Sequence, residues 1–215
     1  MISRLQYITQ DHPSKSHATL AMEACMAGAN WIQLRMKSAS DEEVELEGIR
    51  IREITDKYGA NFILNDRIHL VEKCNADGVH LGLKDMSTNE ARSFLGFDKI
   101  IGGTANTLED VIAHATNKVD YVGLGPFQFT ETKRSLSQTL GTSGYVEIIG
   151  GLKEIGIKLP VIAIGGIKEG DILKIMETGI TGVAVSGLIT NAVNKPELIN
   201  RINNIQYAYN SEQTV

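Results

Sequence analysis

The chain has few cysteines and no long apolar run. Its 215 residues contain two cysteines, Cys25 and Cys74, and both fall in stretches predicted to be helical. Two such thiols are better explained as buried, reduced side chains than as a disulfide or a metal site. No apolar run reaches the length that spans a membrane, and residues 1–10 lack the apolar core and cleavage site of a signal peptide. We therefore expect a cytoplasmic protein.

The chain also lacks an excess of positive charge. Its formal net charge is -5 at pH 7, which gives no reason to expect nucleic acid or an anionic membrane as partner. A hydrophobic content of 42% with 22% charged residues is ordinary for a globular protein. The length suits one large domain, and no linker divides it. We assign residues 1–206 to this domain and residues 207–215 to a polar tail.

What the sequence does contain is an alternation of short apolar runs with helical patterns. The predicted strands are residues 5–9, 31–36, 62–64, 78–82, 99–104, 121–124, 160–164 and 182–185. Capping residues open several of the intervening helices, as at Ser40 and Thr107. A helix is also expected through Leu70 and Val71 to Cys74, and a closing helix near residues 196–205.

Continuous apolar strands that alternate with helices are typical of a parallel sheet buried on both faces. The economical closure of eight such units is a (β/α)8 TIM barrel, an α/β fold. A doubly wound open sheet is the alternative. Its glycine-rich nucleotide fingerprint is absent from the first strand-to-helix turn, which is Gln10-Asp11-His12-Pro13.

Polar residues follow the second predicted strand. Gln33, Arg35 and Lys37 share one side by the two-residue period of a strand, and we expect that side to face the barrel axis. Unpaired cations inside a barrel are costly, so an anionic ligand is implied. The alternative is a solvated strand edge or a buried ion pair.

Carboxylates end the next two predicted strands. Asn65 and Asp66 follow the third strand and Asp85 follows the fourth. Neighbouring strands lie about 5 Å apart, so the two carboxylates should converge. Without cysteine or paired histidine nearby, they suit Mg2+ better than zinc. The alternative is that one or both are helix N-caps.

A long segment, residues 125–144, separates the sixth strand from the next helix. Such a length in a compact barrel is typical of a lid or a binding element, although a solvated loop is the alternative. The segment carries Thr130, Thr132, Lys133 and several glycines that would let it open and close.

Small residues end the last two predicted strands. Gly165-Gly166 and Ser186-Gly187 occupy positions where barrels of this class bind phosphate through backbone N–H groups, although two tight turns are the alternative. Thr104 and Asn106 end the fifth strand and are equally compatible with ligand contacts or with turn and cap roles. His80, inside the fourth strand, is expected to be a hydrogen-bonded barrel residue.

Together these segments resemble the thiamine phosphate synthase family over nearly the whole chain. The resemblance is carried by Gln33-Leu34-Arg35-Met36-Lys37, Asn65-Asp66-Arg67, Gly78-Val79-His80-Leu81-Gly82 with Asp85, Gly123-Leu124-Gly125-Pro126 with Thr130-Glu131-Thr132-Lys133, Ile164-Gly165-Gly166-Ile167 and Val185-Ser186.

The resemblance implies a transferase of thiamine biosynthesis that couples 4-amino-2-methyl-5-hydroxymethylpyrimidine diphosphate with 4-methyl-5-(2-hydroxyethyl)thiazole phosphate. The products would be thiamine phosphate and diphosphate, formed with Mg2+ by a dissociative mechanism. The expected partners are these two small molecules, with no nucleic acid and no membrane, and a homo-oligomer is compatible with the sequence.

The resemblance also implies a role for each matching residue. The Mg2+ ligands would be Asp66 and Asp85. The catalytic cations at the pyrimidine diphosphate would be Arg35, Lys37 and Lys133. The other substrate contacts would be Asn65 at the diphosphate, Gln33 and Thr104 at the pyrimidine, and Thr130, Thr132, Gly166, Val185 and Ser186 at the thiazole phosphate.

Three residues depart from the family pattern: Leu83 stands where many members carry glutamine, Phe129 where many carry proline, and Thr104 where serine is common. The rival functions are a thiazole tautomerase, a sugar-phosphate aldolase or epimerase, and a non-catalytic binding protein. A thiazole tautomerase of the same superfamily, or a non-catalytic thiazole-phosphate binding protein, would not need the full set of carboxylates and cations. A sugar-phosphate aldolase would want a Schiff-base lysine, for which Lys37 is the only plausible residue.

Overall fold

The computed structural model describes residues 2–129 and 138–211 of the chain. Eight parallel strands close into a barrel in which each strand pairs with the next along the chain and the last pairs with the first. The strands are β1 Leu5–Ile8, β2 Trp31–Leu34, β3 Asn61–Asn65, β4 Gly78–Leu81, β5 Ile100–Ala105, β6 Tyr121–Leu124, β7 Val161–Ile164 and β8 Gly182–Val185. The predicted (β/α)8 barrel is confirmed, and the doubly wound sheet is excluded.

Helices follow the strands and form the outer layer. They are α1 His17–Met26, α2 Asp41–Tyr58, α3 Thr88–Leu95, α4 Leu108–Thr116, α5 Gly141–Glu154, α6 Ile172–Glu177, α7 Gly187–Thr190 and α8 Lys195–Ser211. Within the described ranges, no helix combines the length and the apolar character needed to cross a membrane.

The prediction of a helix between β3 and β4 was wrong. Only a short 3-10 helix, Ile68–Leu70, forms there. The amides of Leu70 and Val71 donate to the carbonyls of Arg67 and Ile68, at 3.1 Å each, which is the tighter three-residue spacing. The segment therefore turns back to β4 without an outer helix.

Local sequence explains where the main helices begin and end. Ser40 accepts a hydrogen bond from the amide of Glu43, whose carboxylate accepts one from the amide of Ser40, so α2 begins with a complete capping box. Gly59 ends α2 in the left-handed conformation. Thr107 and Asp110 form the same box at the start of α4.

Side chains alternate between the inside of the barrel and the layer beneath the helices. The inward cluster contains Ile8, Trp31, Ile63, Tyr121, Ile162 and Ala184. The outward residues of β2, Ile32 and Leu34, belong to the larger core under the helices. Gly102 on β5 is required inside the barrel, because a Cβ at this position would collide with the ring of Tyr121.

The closing helix is longer than the sequence predicted, since α8 continues to Ser211. Gln206 explains the extension: its side chain is buried and its Nε2 donates to the carbonyl of Arg4 at 2.9 Å. The Arg4 guanidinium donates in return to the carbonyl of Gln206 at 2.9 Å. These two bonds fasten α8 beside the start of β1.

Candidate active site at the carboxyl end of the barrel

Gln33, Arg35 and Lys37 stand at the end of β2, which is shorter than predicted. Only Gln33 lies on the strand; it is buried and shares the inward side of β2 with Trp31. The strand ends at Leu34, so the two-residue period does not extend to Arg35 and Lys37. These two cations stand instead on the loop at the mouth of the barrel.

Arg35 lies at the edge of this mouth and is partly buried. Its amide, one residue beyond the strand, donates to Oγ1 of Thr9 at 3.2 Å. Burial lowers the pKa of its guanidinium, and the charges of Asp66 and Asp11 act in the opposite direction. Within residues 2–129 and 138–211 the guanidinium makes no hydrogen bond or ion pair, so it is available to an anion.

Asp66 and Asp85 converge at the ends of β3 and β4, as predicted. Asp66 adopts a left-handed backbone with φ 66°, and its amide donates to the carbonyl of His80 at 2.9 Å. Oδ2 of Asp85 accepts a hydrogen bond from the amide of Gly82 at 2.6 Å. Nζ of Lys37 lies 3.3 Å from Oδ2 of Asp66. Two carboxylates and a cation thus share one corner of the mouth.

The electrostatics of this corner favour a bound cation. Burial and the facing carboxylate of Asp85 raise the pKa of Asp66, although Lys37 acts against the shift. A divalent cation between the carboxylates would relieve their repulsion. No cluster of three or more His, Cys, Asp or Glu side chains that could hold a metal occurs in the described part of the chain. Two carboxylates fit Mg2+, which completes its shell with water and substrate phosphate.

Asn65, the last residue of β3, is buried with an unsatisfied amide. Its Nδ2 has no hydrogen-bond partner among the residues that the structure describes. A buried donor without a partner costs about 1–3 kcal/mol. Because Asn65 stands directly before Asp66, a ligand oxygen at the carboxylate corner would lie close to this amide.

A chain of hydrogen bonds crosses the interior below the mouth. Nε2 of Gln33 donates to Oε1 of Gln6 at 3.2 Å, and Nε2 of Gln6 donates to the hydroxyl of Tyr121 at 3.3 Å. His80 lies 3.1 Å from this hydroxyl through Nδ1 and 3.0 Å from Oγ1 of Thr104 through Nε2. The chain joins Gln33 to Thr104, the two residues predicted to contact the pyrimidine.

Sequence reasoning missed Gln6 and Tyr121 as members of this network. His80 is the hydrogen-bonded barrel residue that was expected. The sequence does contain a signal that could have identified them. By the two-residue period, Gln6 and Tyr121 lie on the inward side of predicted strands, where a polar side chain is unusual. Burial raises the pKa of Tyr121, so its hydroxyl keeps its proton.

The ends of β6 and β7 meet on the other side of the mouth. The amides of Phe127 and Gln128 donate to the carbonyls of Ile164 and Gly165, at 2.9 Å and 3.0 Å. Gly166 has φ 70°, and a Cβ there would crowd the carbonyl of Phe129. The first part of segment 125–144 therefore runs along the end of β7.

Asn106, for which the sequence left a ligand contact or a turn role open, lies on this side of the mouth. Its Nδ2 donates to the carbonyl of Gly125, so it braces the strand ends. Two residues that depart from the family pattern, Leu83 after β4 and Phe129 after β6, are exposed. Thr130, Thr132 and Lys133 lie outside the described residues, and their roles stay predictions.

The end of β8 contributes Val185 and Ser186. Val185 is the last, buried residue of the strand, and Ser186 directly precedes α7. Oγ of Ser186 donates to Oε1 of Gln10 at 2.8 Å, which ties the end of β8 to the turn after β1.

A closed parallel barrel that gathers its ionisable side chains at the carboxyl ends of its strands is the architecture of (β/α)8 enzymes. Comparison with known proteins places the chain within that class. The family model described as thiamine monophosphate synthase matches residues 5–189, and the chain belongs to this family. It is a transferase of thiamine biosynthesis that acts on small molecules and forms thiamine phosphate.

Similar proteins support this membership over nearly the full chain. The thiamine-phosphate synthase of Flavobacterium johnsoniae is 48% identical over 208 residues, covering 97% of this chain and 98% of that protein. The thiamine-phosphate synthase of Phocaeicola vulgatus is 50% identical over 201 residues, covering 94% and 97%. The solved structure of thiamine phosphate pyrophosphorylase from Pyrococcus furiosus superposes with a TM-score of 0.83 at 29% identity and covers 96% of each chain.

Proposed function

We propose that the chain couples 4-amino-2-methyl-5-hydroxymethylpyrimidine diphosphate with 4-methyl-5-(2-hydroxyethyl)thiazole phosphate in a Mg2+-dependent reaction. The observation that carries the proposal is the facing pair of Asp66 and Asp85 beside two cations, Arg35 and Lys37. This corner combines ligands for a hard cation with positive charge for an anion. A cytoplasmic location stays a prediction from the sequence.

The pyrimidine diphosphate would bind across the mouth from the carboxylate corner to the interior network. Its diphosphate would lie against Arg35, Lys37 and the unpartnered Nδ2 of Asn65. Its ring would lie against Gln33 and Thr104, which the interior hydrogen bonds hold in place. This arrangement would satisfy the amide of Asn65, which the described residues leave without a partner.

The chemistry follows from the leaving group. The bond between the pyrimidine methylene and the diphosphate oxygen breaks, and its electron pair leaves with the diphosphate. Arg35, Lys37 and Lys133 neutralise the growing negative charge. A Mg2+ ion held by Asp66 and Asp85 would add a charge that polarises the diphosphate oxygens. The pyrimidine-stabilised cation is then captured by the lone pair of the thiazole nitrogen, so no side-chain nucleophile is required.

The thiazole phosphate would bind at the ends of β7 and β8. Gly166, Val185 and Ser186 stand there, and Thr130 and Thr132 would complete the pocket from the segment after β6. The proximity of this segment to β7 at Gly166 supports the arrangement. The thiazole nitrogen would then face the pyrimidine methylene across the mouth.

The test is formation of thiamine phosphate by the purified chain from the two precursors, with Mg2+ and with excess chelator. Asp66→Asn should abolish product. Asp98→Asn is the matched control, because Asp98 is exposed in the connection that enters the opposite end of β5, and it should retain full activity. Binding of thiazole phosphate without product would favour the tautomerase or the binding protein. Metal-independent product would remove Mg2+ from the proposal.

A further inference from the structure

The turn between β1 and α1 contacts both halves of the candidate site. The amide of Thr9 donates to the carbonyl of Gln33 at 2.9 Å, which is a sheet-like bond past the end of β1. Oγ1 of Thr9 then accepts from the amide of Arg35 at 3.2 Å. The next residue, Gln10, accepts through Oε1 from Oγ of Ser186 at 2.8 Å. One short turn therefore reaches the proposed diphosphate side and the proposed thiazole side.

The hydroxyl of Thr9 has a fixed direction. Thr9 and His17 are both buried, and Nδ1 of His17 lies 2.7 Å from Oγ1 of Thr9. Nε2 of His17 lies 3.2 Å from Oδ1 of Asp11, and because a carboxylate only accepts, the neutral ring carries its proton on Nε2. Nδ1 is then an acceptor, so the Thr9 hydroxyl donates to it while Oγ1 accepts from the Arg35 amide. Every donor in this series of hydrogen bonds, from the Arg35 amide to Asp11, has an acceptor.

This series of hydrogen bonds fixes the backbone from which the Arg35 side chain projects. β2 ends at Leu34, so the amide of Arg35 lies beyond the regular strand pairing. The hydroxyl of Thr9 accepts the hydrogen bond of this amide in place of a backbone carbonyl. No described residue makes a hydrogen bond to the guanidinium itself, so the backbone position of Arg35 is the part of this residue that hydrogen bonds hold in place. A displacement of about 1 Å at such a group can reduce a rate about a hundredfold.

We propose that Thr9 and Gln10 are positioning residues: Thr9, oriented by His17, holds Arg35 for the diphosphate, and Gln10 holds Ser186 for the thiazole phosphate. The inference rests on the proposed function for the identity of the two substrates. It predicts that the two residues affect different substrates although they are adjacent in the chain.

The first arm of the test compares Thr9→Val with Thr9→Ser. Valine keeps the shape but leaves the Arg35 amide without an acceptor, whereas serine keeps the hydroxyl. Thr9→Val should raise the KM for the pyrimidine diphosphate about tenfold and leave the KM for the thiazole phosphate within about twofold. The Kd for inorganic diphosphate with Mg2+, measured by calorimetry, should rise in the same proportion. Thr9→Ser should restore both values.

The second arm is Gln10→Met, which should raise the KM for the thiazole phosphate and leave that for the pyrimidine diphosphate unchanged. Equal shifts of both KM values, or no shift, in either variant would overturn the inference while leaving the proposed function intact. If Thr9→Val does not fold, Thr9→Ala takes its place in the same comparison, because alanine also removes the acceptor of the Arg35 amide. If the wild type forms no thiamine phosphate, the proposed function is refuted. If Thr9→Val nevertheless binds diphosphate more weakly than the wild type, the role of Thr9 is supported.

Discussion

Replacing Asp66 by asparagine should separate stability from metal binding. Asparagine tolerates the left-handed backbone that Asp66 adopts, at φ 66°, so the turn keeps its shape. The change removes the ion pair with Lys37, whose side chain is 53% exposed, at a cost below about 1 kcal/mol. It also removes the repulsion with Asp85. Because the pKa of Asp66 is raised, the unfavourable effects outweigh the attraction of Lys37. We expect the metal-free variant to be at least as stable as the wild type.

The response to Mg2+ should differ strongly between the two proteins. A ligand at a hundredfold its Kd stabilises the folded state by about 2.7 kcal/mol. For a chain of this size that raises the melting temperature by roughly 5–10 °C. Asp66→Asn loses one of the two carboxylate ligands, so the same Mg2+ concentration should shift its melting temperature little.

The assay is thermal unfolding followed by circular dichroism, with a Mg2+ titration and a chelator blank for each protein. Asp98→Asn removes an exposed carboxylate at the other end of the barrel and should respond to Mg2+ as the wild type does. An equal Mg2+ shift in Asp66→Asn and wild type would refute the metal site at this corner. A metal-free variant much less stable than wild type would refute the argument that the carboxylate pair is under electrostatic strain.

Three further changes test other parts of the structure. Gly102→Ala should lower the unfolding free energy in urea by about 1–3 kcal/mol, because a Cβ there meets the ring of Tyr121; an unchanged midpoint would show that the ring can move aside. Glu23 has a lowered pKa because Lys15 donates to it, so its stabilisation is present above its ordinary pKa and is lost as the pH falls through its lowered value. Glu23→Gln should therefore flatten the acid decline of the urea midpoint below about pH 4, and identical pH profiles would contradict this. Lys133→Ala should lower turnover about a hundredfold in the coupling assay, and an unchanged rate would remove Lys133 from the reaction.

The fold could be predicted from the sequence because the signals for strands and for helices each lie within a short stretch of residues. Apolar runs separated by capped helices indicate parallel strands, and the boxes at Ser40 and Thr107 begin α2 and α4 where expected. The prediction of a helix through Leu70 to Cys74 was wrong, because the apolar residues Leu70 and Val71 are buried there without forming one. Apolar content alone does not distinguish a packed turn from a helix.

The site could be predicted only at the level of which residues gather at the mouth. The convergence of Asp66 and Asp85 follows from the order of the strands, which the barrel fixes. The second strand was predicted two residues too long, because β2 ends at Leu34, so Arg35 and Lys37 stand on the loop that follows it. The contact of Thr9 with Arg35 joins two separate turns, and no local pattern indicates it.

Hydrogen-bond satisfaction separates two kinds of polar residue in this barrel. In the interior, Gln6, Tyr121 and His80 have partners on neighbouring strands, as buried polar groups normally do. At the mouth, Nδ2 of the buried Asn65 has no partner in the described part of the chain; the indole Nε1 of Trp31 also has none, but it lies among the apolar side chains of the inward cluster. Folding alone gives no reason to keep a buried donor unsatisfied, whereas an anionic ligand does. The position of Asn65 directly before Asp66 at the mouth therefore supports its proposed contact with the diphosphate, and the satisfied interior network supports the proposed placement of the pyrimidine ring.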